Sequence, residues 1–297
     1  MIFIDNVFYI SWSPIYRICL LNGLYIYIYS LMFIISFVTG WEIIRYMYKS
    51  DGIDVEFLHP LLRYTFFGTL LGARLGEIIF YDFSYFSNHL IEAVLPIKEN
   101  NNYCLFGLID GYKFVGYQGL SSHGAAIGIL LSNFLYNKKF IKEKSFIWIC
   151  DRLCIPTILS ASLIRIGNFF NSEIIGRPCN FFWCVRFLQM NSKHGNKMIP
   201  RHPTQIYESI IYFSIFMLLF YTYHKNKKKN HEGLLTGMFF SFSWVSRFLL
   251  EFLKEPQENE FINFFKLNTG QLLSIPFIIF GILLIFLSKK KDNYIKI

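Results

Sequence analysis

Residues 146–177 read FIWICDRLCIPTILSASLIRIGNFFNSEIIGR. Their first half is an apolar run of the roughly 20 residues that a helix needs to cross the hydrocarbon core of a bilayer. The run closes on Arg165. After it come Asn168, Asn171, Glu173, Gly176 and Arg177, a density of donors and acceptors that a surface turn has no structural need for. A membrane span that ends in a cluster of charged and amide side chains marks a polar chamber at the edge of the bilayer, because ionisable groups at that depth are costly and face an interior or a water-filled cavity.

The rest of the chain agrees with a membrane protein. Its 297 residues are 54% hydrophobic, 20% aromatic and only 16% charged, against about a quarter charged in an average soluble domain. That balance excludes a disordered or fibrous chain and argues against an ordinary cytosolic enzyme. Seven segments have the length and composition of spans: about 18–39, 60–81, 119–136, 146–165, 206–223, 234–252 and 270–288. The expected fold is an all-α polytopic membrane protein, one integral domain over 1–297 with small extramembrane segments at about 82–118 and 166–205. The first span is not read as a cleavable signal, since no basic segment leads it and its apolar run is too long.

The formal charge of +9 sits in short clusters between apolar runs and not along one face, which suits membrane topology and not nucleic acid. Lys138, Lys139, Lys142 and Lys144, then Lys225 and Lys227–Lys229, then Lys289–Lys291 and Lys296 fall on one side, with Arg45 and Lys49 after the first span. The positive-inside rule makes that side cytoplasmic, the amino terminus periplasmic and the carboxyl terminus cytoplasmic. With this orientation Arg74, His123, Arg165, His202, Arg247 and Glu251 all fall toward the outer face. The chemistry is expected there.

Each of these residues also has a structural reading. Arg247 and Glu251 stand i,i+4 and Arg74 and Glu77 i,i+3, so each pair is able to neutralise itself. His123, followed by Gly124-Ala125-Ala126, suits close helix packing, and His202 beside Pro203 suits a helix start. Cys150 and Cys154, one turn apart, read as packing residues. Cys179 and Cys184 share an outer segment and are able to pair, which spacing alone does not decide. No cysteine spacing reads as a zinc site.

These motifs together resemble prolipoprotein diacylglyceryl transferase, a bacterial inner-membrane family. The segment from Arg165 to Arg177 is similar to its signature. Tyr29-Ser30-Leu31-Met32, Gly72-Ala73-Arg74-Leu75-Gly76, Gly119-Leu120-Ser121-Ser122-His123-Gly124, Asp151 with Pro156, Arg201-His202-Pro203-Thr204-Gln205-Ile206-Tyr207-Glu208, Arg247-Phe248-Leu249-Leu250-Glu251-Phe252 and Gly270-Gln271-Leu272-Leu273-Ser274-Ile275-Pro276 match its other motifs in order. Departures are Ser30, Ile164 and Ala125 where the family has Gly, and Ser243-Trp244 where it often has Tyr-Gly.

The resemblance implies transfer of diacylglycerol from phosphatidylglycerol to the lipobox Cys thiol of a prolipoprotein signal peptide, giving a thioether and glycerol phosphate. It implies a multi-pass inner-membrane location, and no cofactor or metal is expected, since the sequence has no metal-ligand spacing and no Gly-rich phosphate loop. A phosphodiester leaving as a phosphomonoester gains negative charge, which guanidinium groups match in charge and shape. Arg165 and Arg247 are therefore the expected phosphate-binding catalytic pair, and His123 the candidate base. Asn168, Asn171, Glu173, Gly176, Tyr29, His202 and Glu251 are the expected substrate-binding residues. A transporter or another lipid-binding membrane protein with buried Arg and Glu is the competing class.

Overall fold

The computed structural model describes residues 9–19, 25–105, 109–115, 119–189, 199–226, 231–255 and 267–293. In chain order the elements are β1 (Ile10–Trp12), β2 (Arg17–Cys19), β3 (Tyr25–Tyr27), α1 (Ile28–Ser50), α2 (Leu58–Phe80), α3 (Phe83–Phe86), α4 (Leu90–Val94), β4 (Ile97–Leu105), β5 (Ile109–Phe114), α5 (Ser122–Phe140), α6 (Phe146–Phe170), β6 (Val185–Phe187), α7 (Thr204–Asn226), α8 (Leu234–Leu250) and α9 (Thr269–Asn293). The chain is mostly helical, and α1, α6, α7 and the Gly270–Ser288 part of α9 are long and apolar enough to cross a membrane. Large apolar side chains along the helices point outward, as in Val38, Met217 and Phe286. Such faces suit lipid and not water.

Two compact units make up the chain, one from residues 1–51 and 150–297, the other from Gly52–Ile149. In the first unit, Met47, Ile155, Ile158 and Leu219 form a core between α1, α6 and α7. Asp151 is buried in α6 and caps α8 from a distance. It accepts from the Gly233 and Thr236 amides at 2.8 Å each and from the Thr236 hydroxyl at 2.6 Å. The capped amides are among those that a helix start leaves without partners. Pro156 interrupts the α6 hydrogen-bond ladder and packs where Gly40 gives α1 room.

In the second unit α2 and α5 run antiparallel along a seam of small residues. A Cβ placed on Gly72 would meet Gly124 O at 2.4 Å, and one on Gly128 would meet Gly68 O at 2.1 Å, so the two backbones touch. Small-xxx-small spacing is the usual means of such an approach in membranes. Thr65 Oγ1 adds a hydrogen bond to Asn133 Oδ1 at 3.1 Å across the same pair.

Two expectations need correction. The first helix begins at Ile28, not 18, because Arg17–Cys19 and Tyr25–Tyr27 form an antiparallel β pair. Short runs of Tyr and Ile serve a strand as well as a helix, and the apolar count did not separate them. Arg45 and Lys49 consequently lie inside α1 and not beyond it. The fold is also mostly and not purely helical, since the described residues include three two-stranded sheets: β1 with β6, β2 with β3, β4 with β5. The 82–118 segment carries α3, α4 and the β4–β5 hairpin. Lys227–Lys229 and Lys296 lie outside the described residues.

Candidate active site

The end of α6 sets the first side of the site. Arg165 and Asn168 stand i,i+3 on one face, and Arg165 Nη1 donates to Asn168 Oδ1 at 3.4 Å. Asn168 Nδ2 in turn donates to Glu173 Oε2 at 3.1 Å, and Asn171 Nδ2 to Glu173 Oε1 at 3.2 Å. Folding the chain back this sharply takes left-handed backbone at Ser172 and Ile174, both with φ 54°. For a β-branched residue such as Ile174 that is an outlier, of a kind concentrated at functional sites. Gln205 Nε2 donates to Glu173 O at 2.5 Å and Thr204 Oγ1 to Ile174 O at 2.9 Å, so the start of α7 holds the turn in place. Tyr29 packs over Gly167, where a Cβ would meet its ring at 2.9 Å, and its hydroxyl bonds Asn168 and lies in the fields of Glu173 and Arg165.

Glu208 is the hub of the second side. It is fully buried on α7, with Oε2 2.6 Å from Arg165 Nε and Oε1 2.7 Å from Lys254 Nζ. Lys254 also reaches Glu251 Oε2 at 3.4 Å, and Asn268 Nδ2 donates to Glu251 Oε1 at 3.2 Å. Buried carboxylates survive only when paired in this way. Glu251 therefore pairs with Lys254 and Asn268, and the i,i+4 neutralisation of Arg247 by Glu251 does not occur.

Arg247 is different. It forms no ion pair among the described residues, and its buried Nε has no hydrogen-bond acceptor. Its guanidinium lies 5.6 Å from the centroid of Trp244, whose ring stacks on Phe277 at 4.3 Å. The departure at position 244 thus supplies an aromatic face beside the cation. The Tyr212 hydroxyl bonds Arg165 and lies within electrostatic reach of Glu208, Arg165 and Arg247.

Backbone pairing ties the outer segment to both sides. Gly176 N donates to His202 O at 3.0 Å and Arg177 N to Leu253 O at 2.8 Å. Any side chain at Gly176 would collide, because its Cβ would lie 2.6 Å from both Cβ and O of His202. Arg201 bonds Gly176 O at 3.2 Å and pairs with Glu255. A Cys179–Cys184 disulfide closes the loop between these strands. Beside it, the Tyr207 hydroxyl takes a 2.8 Å hydrogen bond from Trp183 Nε1 and lies 3.2 Å from His202 Nδ1. Burial pushes the His202 pKa below its ordinary value. Below this segment Phe169, Val185 and Phe187 form a small core, against which Trp12 packs from the β1–β6 pair.

The structure brings Tyr29, Arg165, Asn168, Asn171, Glu173, Gly176, His202, Arg247 and Glu251 into one unit. His123 belongs to the other unit, exposed in the first turn of α5. Arg74 donates to the carbonyls of Ala93, Glu92 and Gly119 and lies 4.5 Å from the Phe86 ring centroid, binding the 82–118 segment to α2. Sequence reasoning missed Glu208 and Lys254 as members of the site. Glu208 is the only charged residue between Ile206 and Tyr223, a signal that was available. Lys254 follows Arg247 and Glu251 at i+7 and i+3, spacing that returns to one helix face.

Two groups of described residues have three metal-capable atoms close together: Cys179, Cys184 and His202, and His89, Glu92 and Glu99. The first has both sulfurs in the disulfide. In the second, Glu92 already takes hydrogen bonds from the Tyr85 hydroxyl at 2.6 Å and Glu99 N at 2.7 Å.

The family model for prolipoprotein diacylglyceryl transferase matches residues 17–287. Among curated relatives, a phosphatidylglycerol–prolipoprotein diacylglyceryl transferase of Bacteroides fragilis is 38% identical over 96% of this chain and 97% of its own length. The enzyme of the same name from Tolumonas auensis is 37% identical over 89% of this chain and 91% of its own. That of Campylobacter curvus is 33% identical over 96% and 99%. A multi-pass helical membrane chain with this constellation of arginines, asparagines and glutamates, matched over nearly its whole length, belongs to the prolipoprotein diacylglyceryl transferase family.

Proposed function

We propose that this chain transfers the diacylglyceryl group of phosphatidylglycerol to the lipobox cysteine of a prolipoprotein. The observation that carries this reading is Arg247, a guanidinium without a carboxylate partner among the described residues, within electrostatic reach of Tyr212 as Arg165 is. An uncompensated cation in a low-dielectric chamber attracts an anionic ligand, and a lipid phosphate is the anion that a membrane supplies. The same charge works harder as the reaction proceeds. The thiolate sulfur attacks the glycerol carbon, the carbon–oxygen bond breaks, and the departing phosphate oxygen keeps the electron pair. Preorganised donors aimed at that developing charge are commonly the largest catalytic term.

Arg165 and Arg247 hold the phosphate in this scheme, with Glu208 and Asn168 fixing the Arg165 fork. Asn171, Glu173 and Tyr29 meet the head-group hydroxyls. Gly176 lets the backbone pass close to His202, and Glu251 with Lys254 sets the wall beneath Arg247. The thiol needs little help, since a free Cys with a pKa near ~8.5 costs only roughly 2 kcal/mol to ionise at neutral pH. His123 and His202 are the imidazoles proposed for its proton. No cofactor enters the scheme.

The proposal extends to topology. All seven long helices cross the bacterial inner membrane, with the amino terminus periplasmic and the carboxyl terminus cytoplasmic, and the two units serve one membrane domain with extramembrane segments at 82–118 and 166–205. The disulfide in the outer segment supports this orientation, since disulfides persist outside the cytoplasm. The test is release of glycerol phosphate by purified protein in phosphatidylglycerol nanodiscs. Release should require a lipobox peptide and vanish when its Cys is replaced by Ser; release without a peptide, or none with it, refutes the assignment.

A further inference from the structure

The α2–α5 pair carries a second feature that the reaction does not use. Because Gly68, Gly72, Gly76, Gly124 and Gly128 have no side chains, the surface over the helix seam sinks into a furrow of about 810 Å³. Its walls are regular. Phe67, Leu71, Leu75 and Ile79 line it from α2 at intervals of four, and Ile127, Leu131 and Leu135 line it from α5 at the same interval. Four residues along from each wall, at the same end because the helices are antiparallel, stand Arg63 and Lys139. Both are exposed, and neither pairs with a carboxylate among the described residues. From Arg63 to Ile79 the furrow extends roughly 24 Å at ~1.5 Å per residue, more than the ~15 Å that one leaflet contributes to the hydrocarbon core.

We infer that this furrow binds an anionic phospholipid, with an acyl chain along the glycine floor and the phosphate between Arg63 and Lys139. Charge selects this occupant over the alternatives. A secretory signal peptide carries a positive segment ahead of its apolar run, which the two cations repel at their end of the furrow. A second copy related by an axis along the membrane normal would bring its own Arg63 and Lys139 to the same level. An anionic lipid has the apolar length and the opposite charge. The inference rests on α2 and α5 crossing the bilayer, and goes beyond the transfer reaction to a lipid that stays bound.

The test places a reporter in the wall. The full-length Leu131→Trp variant is set in phosphatidylcholine nanodiscs with a minor share of either dibromo-acyl phosphatidylserine or dibromo-acyl phosphatidylcholine, and its emission is read after subtracting the parent protein. Two basic groups near a surface favour an anionic lipid by roughly tenfold or more. Quenching by the phosphatidylserine should exceed that by the phosphatidylcholine at least severalfold. Arg63→Gln with Lys139→Gln should abolish the difference, while Arg63→Lys with Lys139→Arg keeps it. Equal quenching by the two lipids, or a preference that survives removal of both charges, overturns the site. Quenching that falls as protein-to-disc ratio rises assigns the furrow to a second copy and overturns it as well. No quenching by either lipid refutes the membrane placement of α2 and α5 itself, and transfer to a lipobox peptide, measured separately in phosphatidylglycerol nanodiscs, reports on the catalytic reading.

Discussion

Glu208 Oε2 lies 2.6 Å from Arg165 Nε, and the other oxygen of the same carboxylate lies 2.7 Å from Lys254 Nζ. One fully buried acid on α7 therefore orients a cation from α6 and another from the segment after α8. Arg247, which no carboxylate among the described residues engages, stands apart from this ion-pair arrangement. Both arginines are assigned to the phosphate, but only Arg165 is held by a described carboxylate, and that difference can be measured.

Removing Glu208 should unfold the site. Glu208→Gln leaves Arg165 and Lys254 partly desolvated with no carboxylate between them, and breaking a buried pair from one side costs about 3–5 kcal/mol. Thermal unfolding in detergent should show a clear fall in Tm, with transfer lost in parallel. A variant as stable as the parent would mean that Glu208 is not the hub.

Arg247→Gln should behave in the opposite way. Among the described residues it satisfies no buried anion, so its loss should leave the unfolding free energy within about 0.5 kcal/mol of the parent's. Transfer should nevertheless fall by ~10²-fold or more, the scale of a lost charge-stabilising donor. Trp244→Ala, which removes the face beside Arg247 and also the stack on Phe277, should give a smaller loss of transfer together with a measurable loss of stability.

Backbone strain at the turn predicts an asymmetry between glycine and branched residues. Ser172 has φ 54°, a region glycine enters freely. Ser172→Gly should be as stable as the parent or slightly more so, and Ser172→Val should be destabilised by about 1–3 kcal/mol. Equal stabilities by thermal unfolding would show that the turn is not held in this conformation.

Acid should act through His202. Burial lowers its pKa in the folded protein, so between that value and the ordinary ~6.5 the unfolded chain binds more protons than the native one. Stability therefore rises with pH through this window and is lost as pH falls through it. His202→Gln should flatten this part of the stability–pH curve; an unaltered curve would place the titration elsewhere.

Much of this site was legible in the residues because its signals are local. Arg165 and Asn168 are one helical turn apart, and the turn that follows is dense in polar groups. The Asn168–Glu173–Asn171 linkage spans only a few residues. Contacts set by tertiary packing were not legible. Nothing in the spacing of Arg247 and Glu251 reveals that Glu251 would turn to Lys254 and Asn268, since i,i+4 geometry permits either outcome. The parallel pairing of Ile10–Trp12 with Val185–Phe187 joins strands far apart in sequence and has no periodic signature. The start of α1 was misplaced for a related reason: in Tyr25-Ile26-Tyr27 a bilayer-apolar composition and a strand composition coincide.

The central claim is that Arg165 and Arg247 stabilise the departing phosphate together. The most direct measurement is single-turnover release of glycerol phosphate from phosphatidylglycerol, with saturating lipobox peptide, by the parent, Arg165→Gln, Arg247→Gln and the double variant. Each single change should slow the chemical step by ~10²-fold or more, and the double variant should be slower than either single variant but by less than the product of the two separate effects, as expected of groups acting on one phosphate. Single variants that release glycerol phosphate at the parent rate while folded would contradict the account.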